Sequence, residues 1–443
     1  MSRSESRGSR SPSMVVAPPG PRSRALANDL AELESPAFED RRQERAKASG
    51  EDQSPVVYAR AWGSNVEDVD GNVYVDLVAG FGALLLGHGD ARVEAAVRKQ
   101  SQAITLALGD VYATEPKIEL LRRLATLFPE AGARVMLGSS GADAITAALK
   151  TAVLATGKSG VVAFEGAYHG LTHGPLAVCG LNPKFREPFV GQTGDFARFA
   201  PYPATEADLP RTLAAVDAAF ATGTIGAVVV EPILGRGGCV VPPASFLPEL
   251  RRITRAAGAL LVVDEIWTGF GRSGATFATP DGVIPDVICV AKGLGGGYPI
   301  SACIGSARAM EAWGAHGGGA IHTATHFGWP VACAAALATL DAIVDDRIAE
   351  RAREVGDRFR AHLVAATRGT SNRDVRRRGL KIGLEVDGGA GAALALGRRL
   401  LAEGWLVLTG GTAGDVLTLT PALTIDEGLL DAFVPVVARL ARG

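Results

Sequence analysis

The sequence predicts an α/β protein: a large domain on a mostly parallel sheet flanked by helices, and a smaller α+β domain drawn from both ends of the chain. Three observations predict it. Short Val/Ile-rich runs (GVVAFEG, IGAVVVEPI, GALLVVDEIW, DVICVAK) show no strict polar alternation, which marks strands buried on both faces. Helical segments such as FLPELRRITRAAG interleave with those runs, the pattern of a parallel sheet with crossover helices. The chain has 443 residues, 47% of them hydrophobic and 21% charged, enough for two or three domains with a sizeable core.

The elements follow in order. Residues 1–25, rich in Ser, Arg and Pro, read as a disordered tail. A transit peptide is a weaker reading of the same composition, and the apolar stretch of a secretory signal is missing. Residues 26–75 form an N-terminal segment joining the small domain. It is charged and partly helical at first, then makes two short strands around Asp70-Gly71, a hairpin signal. Residues 76–330 are assigned to the large domain. There ARVEAAVRKQSQAI and KIELLRRLATLF are amphipathic helices, ARVMLGSS is a strand and GADAITAALKTAVLAT is a helix. Residues 331–443 are the C-terminal small domain, opening on one long helix through residue 367 and continuing into GLKIGLEV and VLTLTP.

A net charge of −2 gives no basic excess for nucleic acid. No uncharged apolar window reaches the length of a membrane helix. The five cysteines are scattered, with no metal-ligand spacing, so no metal site is expected and a reducing compartment, the cytoplasm, is.

In an open α/β sheet, ligands sit beyond the carboxyl ends of the strands. The residues there are Ser140-Gly141-Ala142, Glu165 to His169, Glu231, Asp264-Glu265 and Lys292. Lys292 ends a buried run. A desolvated lysine becomes a nucleophilic amine fit for a Schiff base, although alone it also reads as a strand-end lysine with its stem along apolar surface. Asp264 ends the preceding apolar run. One lysine for an aldehyde and one aspartate for a pyridinium nitrogen are what pyridoxal phosphate needs. Ser140-Gly141-Ala142 open a helix, where backbone N–H groups and small residues suit a phosphate; the same residues also read as an ordinary helix cap. Tyr168, flanked by glycine-rich sequence, suits stacking on a cofactor ring. GFGRSG (269–274) matches the dinucleotide pattern G-x-G-x-x-G, but no helix follows it, so a nicotinamide site is rejected.

Together these residues resemble the class III (ω-type) aminotransferases, fold-type I pyridoxal-phosphate enzymes, over residues 55–435. DVDGNVYVDLVAGFGALLLGHG, SSGADAITAALK, FEGAYHG, VVVEPILGRGG, LLVVDEIWTGFGRSG, VICVAKGLGGGYPIS and HTATHFGWPVACAAALATL stand in the family's order. The resemblance implies the following roles. Lys292 would be the Schiff-base lysine and Asp264 the partner of the pyridine nitrogen. Ser140, Gly141 and Ala142 would bind the phosphate, with Tyr168 and Ile266 on the two faces of the ring. Thr325 would reach the phosphate from a neighbouring subunit, which implies a homodimer with shared active sites. Glu231 matches a glutamate at the mouth of the substrate pocket, to which Phe81, Tyr112, Trp267, Thr418 and Arg236 would also contribute.

The departures bear on specificity. Trp267 stands where Gln is common, Leu234 where Gln is usual, and Arg236 where an acid is usual. Thr418 occupies the position of an arginine that clamps the substrate's α-carboxylate in many members. Threonine cannot make that bidentate contact. Glu231 is therefore expected to seek another cation, either Arg236 or the substrate's own ammonium, and the acceptor's carboxylate another arginine, with Arg236 the first candidate. The implied activity is transfer of an amino group from an amine or ω-amino compound to a keto acid or aldehyde, in two half-reactions of ping-pong order. A 2,1-aminomutase-type isomerase on the same scaffold is the alternative.

Overall fold

Apolar runs that end on a polar or ionisable residue become the strands of one sheet in the computed structural model, which describes residues 9–109, 111–315, 319–370 and 372–442. The chain forms two compact units, one from Ala91 to Arg347 and the other from the segments before and after it. In chain order the strands are β1 (Tyr58–Trp62), β2 (Asn65–Asp68), β3 (Val73–Asp76), β4 (Arg134–Gly138), β5 (Gly160–Phe164), β6 (Ala197–Ala200) and β7 (Ile225–Val230). They continue with β8 (Leu260–Asp264), β9 (Val287–Val290), β10 (Ser301–Gly305), β11 (Asn372–Arg378), β12 (Lys381–Val386), β13 (Trp405–Leu406), β14 (Leu408–Gly410) and β15 (Val416–Leu419).

The central unit carries a seven-stranded sheet in the order β4-β10-β9-β8-β7-β5-β6. Strands β5 to β9 pair in parallel, and β10 alone runs antiparallel, to both β4 and β9. Alternate residues feed two cores. Val228, Val230, Leu261 and Val263 face the helices Leu209–Phe220 and Phe246–Ala257 on one side. Ala227, Val229, Val262 and Cys289 face Ala144, Ile145 and Ala148 of the helix Gly141–Thr156 on the other. Burial on both faces is the reason these strands read as continuous apolar runs. Because only β10 is reversed, the carboxyl ends of β4, β9, β8, β7 and β5 share one edge of the sheet.

The other unit holds two four-stranded sheets, β1-β2-β3-β13 and β11-β12-β15-β14. β2 and β3 form the hairpin expected at Asp70-Gly71, with Gly71 at φ 91°. Three sequence expectations need correction. Residues 1–8 of the expected tail lie outside the described residues, but residues 9–25 are ordered on this hairpin. Ser13 pairs with Val73, Asn72 Oδ1 accepts from the N–H groups of Val15 (2.7 Å) and Val16 (3.0 Å), and Asp70 accepts from Arg22 and Ser23 at the start of the helix Pro21–Leu33. The single long helix is two, Pro330–Asp345 and Ile348–Thr367, parted by Arg347 at φ 48°, a left-handed conformation that no α-helix accommodates. The unit boundary falls at that break rather than at 330, because Pro330–Asp345 packs on the helices Ala91–Ala103 and Glu115–Thr126 of the central unit. The other boundary is Asp90/Ala91 rather than 75/76.

Candidate active site

Five of the loops that leave this edge of the central sheet are tied together by a chain of contacts. β8 ends on Asp264, which stands opposite Cys289 of β9, three residues before Lys292. Asp264 is 4% exposed, and its two carboxylate oxygens are held separately. Oδ1 accepts from the Ile266 N–H at 3.0 Å, and Oδ2 lies 2.7 Å from His169 Nδ1. With Asp264 ionised, Nδ1 is the donor. Burial disfavours a charged imidazole, yet the hydrogen bond and charge of Asp264, helped by Glu231, outweigh it and hold His169 above its ordinary pKa. The other ring nitrogen, Nε2, is buried without a hydrogen-bond partner among the described residues.

The loop that carries His169 is fixed by Glu231 at the end of β7. The Glu231 carboxylate accepts from the Tyr168 N–H and the Gly235 N–H, both at 2.7 Å. The expected ion pair between Glu231 and Arg236 is not what the structure shows. Arg236 instead lies on the Tyr168 ring, its Cζ 4.7 Å from the ring centroid. Gly235 in turn abuts Trp267: a Cβ at Gly235 would stand 2.5 Å from Trp267 Cε3. The face of that indole carries Lys292, with Nζ 4.5 Å from the ring centroid, a cation–π contact.

β4 leads into the helix Gly141–Thr156 through a capping box. Ser140 Oγ accepts from Asp143 N, and the Asp143 carboxylate accepts from Ser140 N and Ser139 N. Asp143 thus closes the cap from the helix side. By helix geometry the N–H groups of Gly141 and Ala142 have no intrahelical acceptor. Space beside them is close-fitted: a Cβ at Gly141 would stand 2.9 Å from Ile266 Cδ1, and one at Gly170 would stand 3.0 Å from Ala142 Cβ. Lys292, Asp264, Ser140, Gly141, Ala142, Tyr168, Ile266, Glu231, Trp267 and Arg236 therefore gather at one edge.

The remaining candidates are not part of this chain of contacts. Tyr112 and Thr325, both exposed, share a shallow crevice with Leu106, Lys117 and Phe327. Phe81 and Thr418 belong to the other unit. Phe81 is 53% exposed on a turn where Ala79, Gly80 and Phe81 all have positive φ. Thr418 is 1% exposed in β15, with its Oγ1 unpaired among the described residues. Two residues on, Thr420 bonds to the carbonyls of Leu77 and Val78, so this strand adjoins the segment that bears Phe81.

His169 was not assigned a role from sequence. Its signal was a histidine directly after Tyr168 in a loop leaving a buried strand. Glu265, beside Asp264, proves to be the anchor of the GFGRSG turn. It accepts from Thr268 Oγ1, Ala278 N (3.0 Å), and Thr279 N and Oγ1 (2.7 and 2.6 Å), and no helix follows the glycines. Burial pushes the Glu265 carboxyl up despite these donors.

Comparison with known proteins gives a consistent picture. The family model for aminotransferase class-III matches residues 46–440. An acetylornithine aminotransferase of Methanothermobacter thermautotrophicus is 35% identical over 88% of this chain and 94% of its own. A 4-aminobutyrate aminotransferase of Mycobacterium bovis is 36% identical over 96% of this chain and 97% of its own. Among solved structures, a PLP-bound amine transaminase from an uncultivated Pseudomonas species superposes with a TM-score of 0.82 at 28% identity, over 88% of this chain and 96% of its own.

Proposed function

The chain belongs to the class III aminotransferase family, and from that premise we propose how its own residues carry the reaction. The enzyme is a pyridoxal-phosphate-dependent aminotransferase that moves an amino group from an amine or ω-amino compound to a keto acid or aldehyde. The isomerase alternative finds no support among these relatives.

The residues fit the cofactor. A buried carboxylate held from two sides, an amine at the end of the adjacent strand, and two free N–H groups at a helix start match its ring nitrogen, aldehyde and phosphate. When bound, it supplies an aldehyde for the amine and a ring that takes up electrons. Asp264 would hold the proton on the ring nitrogen, and His169 would orient Asp264 through its hydrogen bond. Tyr168 and Ile266 would flank the ring, while Ser140, Gly141 and Ala142 meet the phosphate. Lys292 Nζ would remove and return the proton at the substrate's reacting carbon. The Trp267 ring, on which Nζ rests, would hold the side chain in place.

The observation that carries this reading is the placement of Asp264 and Lys292 at the carboxyl ends of adjacent parallel strands, both tied into the Tyr168–Glu231–Trp267 contact chain. Adding an amine donor to the cofactor-loaded enzyme should bleach its visible band, and a keto acid should restore it. Turnover with no added keto acid and no such bleaching would favour the isomerase instead.

A homodimer is part of the proposal. Ile104, Leu106, Leu108, Val111 and Tyr112 are 44–68% exposed in one stretch, an apolar surface of the kind that marks an interface. Thr325 is exposed beside it and available to a second subunit. A fully active monomer in sedimentation would contradict this. We place the enzyme in the cytoplasm. All five cysteines are unpaired and buried, and among the described residues no helix is long and apolar enough to cross a membrane.

A further inference from the structure

We propose that Arg236 is the anchor for the carboxylate of the keto-acid acceptor, a specificity residue within the aminotransferase reading on which this inference rests. Arg236 is half-buried, in the loop between Gly235 and Gly237. Its one recorded contact is the face of Tyr168, and it has no carboxylate or carbonyl partner among the described residues. That is an unusual state for a guanidinium partly removed from water, because such charges are ordinarily paired. The nearest acid in the loop, Glu231, is engaged by the N–H groups of Tyr168 and Gly235.

Stacking occupies the flat face of the guanidinium and leaves its edge, with the N–H donors, open to a ligand. A carboxylate matches that edge with two parallel hydrogen bonds. The location is right for a substrate group. Arg236 follows directly on Gly235, which packs against the indole that carries Lys292, and it covers the tyrosine that adjoins His169 and Asp264. A carboxylate on a keto acid bound at Lys292 therefore meets a preformed, unpaired cation, whereas an aldehyde acceptor offers it nothing. The inferred acceptor class is thus keto acids over neutral aldehydes.

The test is the acceptor half-reaction, measured as kcat/KM with pyruvate and with a neutral aldehyde of similar size, for wild type, Arg236→Gln and Arg236→Lys. A lost charge-assisted bidentate contact predicts a fall of about 10- to 100-fold with pyruvate in Arg236→Gln, mostly in KM. The fall with the aldehyde should be at least several-fold smaller, and Arg236→Lys should lie between. Calorimetry of the cofactor-loaded protein with acetate, a non-reacting carboxylate, should show binding weakened in Arg236→Gln. Equal losses for both acceptors, or unchanged pyruvate kinetics and acetate binding, would overturn the role of Arg236. A wild type inactive with both acceptors would instead strike at the aminotransferase reading itself.

Discussion

His169→Leu isolates the least expected part of the site. The substitution keeps a large apolar side chain in a fully buried position and removes the 2.7 Å hydrogen bond to Asp264 Oδ2. Asp264 would keep one donor, the Ile266 N–H, and its second oxygen would be buried without a partner. A hydrogen bond to a charged group contributes about 1.5–3 kcal/mol, and breaking a buried ion pair costs about 3–5 kcal/mol. A loss of about 2–3 kcal/mol in the apoprotein is therefore expected. The pH dependence has a definite sign. The folded pKa of His169 is raised, so its ionic contribution is complete below the unfolded value of about 6.5 and disappears as pH rises through the folded value. The stability gap between wild type and variant should therefore narrow on going from mildly acidic to alkaline pH. Urea unfolding of the apoprotein at several pH values measures this without reference to catalysis. A gap under about 0.5 kcal/mol, or one that widens as pH rises, would refute a supporting role for His169.

The other predictions are shorter. Lys292→Ala should abolish turnover while cofactor binding survives in weakened form, since the Gly141 and Ala142 donors remain; near-normal turnover in the folded variant would remove Lys292 from its role. Asp264→Asn should lower kcat/KM by several orders of magnitude, and a loss within a factor of about three, roughly 0.65 kcal/mol of barrier, would show that Asp264 does not serve the ring nitrogen. Gly235→Ala places a methyl 2.5 Å from Trp267 and 2.9 Å from Glu231 Oε2, so a destabilisation of about 1–3 kcal/mol and a reduced kcat are expected. Adding Trp267→Phe should recover part of the stability in a double-mutant cycle; strict additivity would show that the two residues do not collide.

What the sequence made legible follows from how each feature is encoded. Asp264 and Lys292 could be found because strands buried on both faces leave their polar ends conspicuous. The same double burial hid the reversal of β10, since an apolar run reads alike in either direction. The break at Arg347 has no glycine or proline to announce it. Residues 9–25 look disordered because their composition is polar, and their order comes from Asn65, Asp70 and Asn72, more than forty positions away in sequence. His169 was overlooked for a similar reason. Nothing local distinguishes a loop histidine from one aimed at a carboxylate 95 residues distant.

The departures from the family pattern gain meaning only in three dimensions. Leu234, Arg236 and Trp267 occupy two separate loops, and as sequence they are unrelated losses of glutamines and an acid. In the fold, Gly235 lies against the Trp267 ring with no room for a side chain, so the two loops meet at that glycine. Leu234, on one side of it, turns into the apolar core beneath the sheet, and Arg236, on the other, turns onto Tyr168. A bulky indole at 267 thus requires glycine at 235, and the chain through that glycine sends one neighbour into the core and the other onto the Tyr168 ring. Trp267 presents an aromatic face that bears Lys292, and Arg236 sets a cation on Tyr168. If Arg236 anchors the acceptor, acceptor specificity resides in the loop 234–236. Exchanging that loop and Trp267 together, rather than singly, is the substitution expected to change acceptor preference.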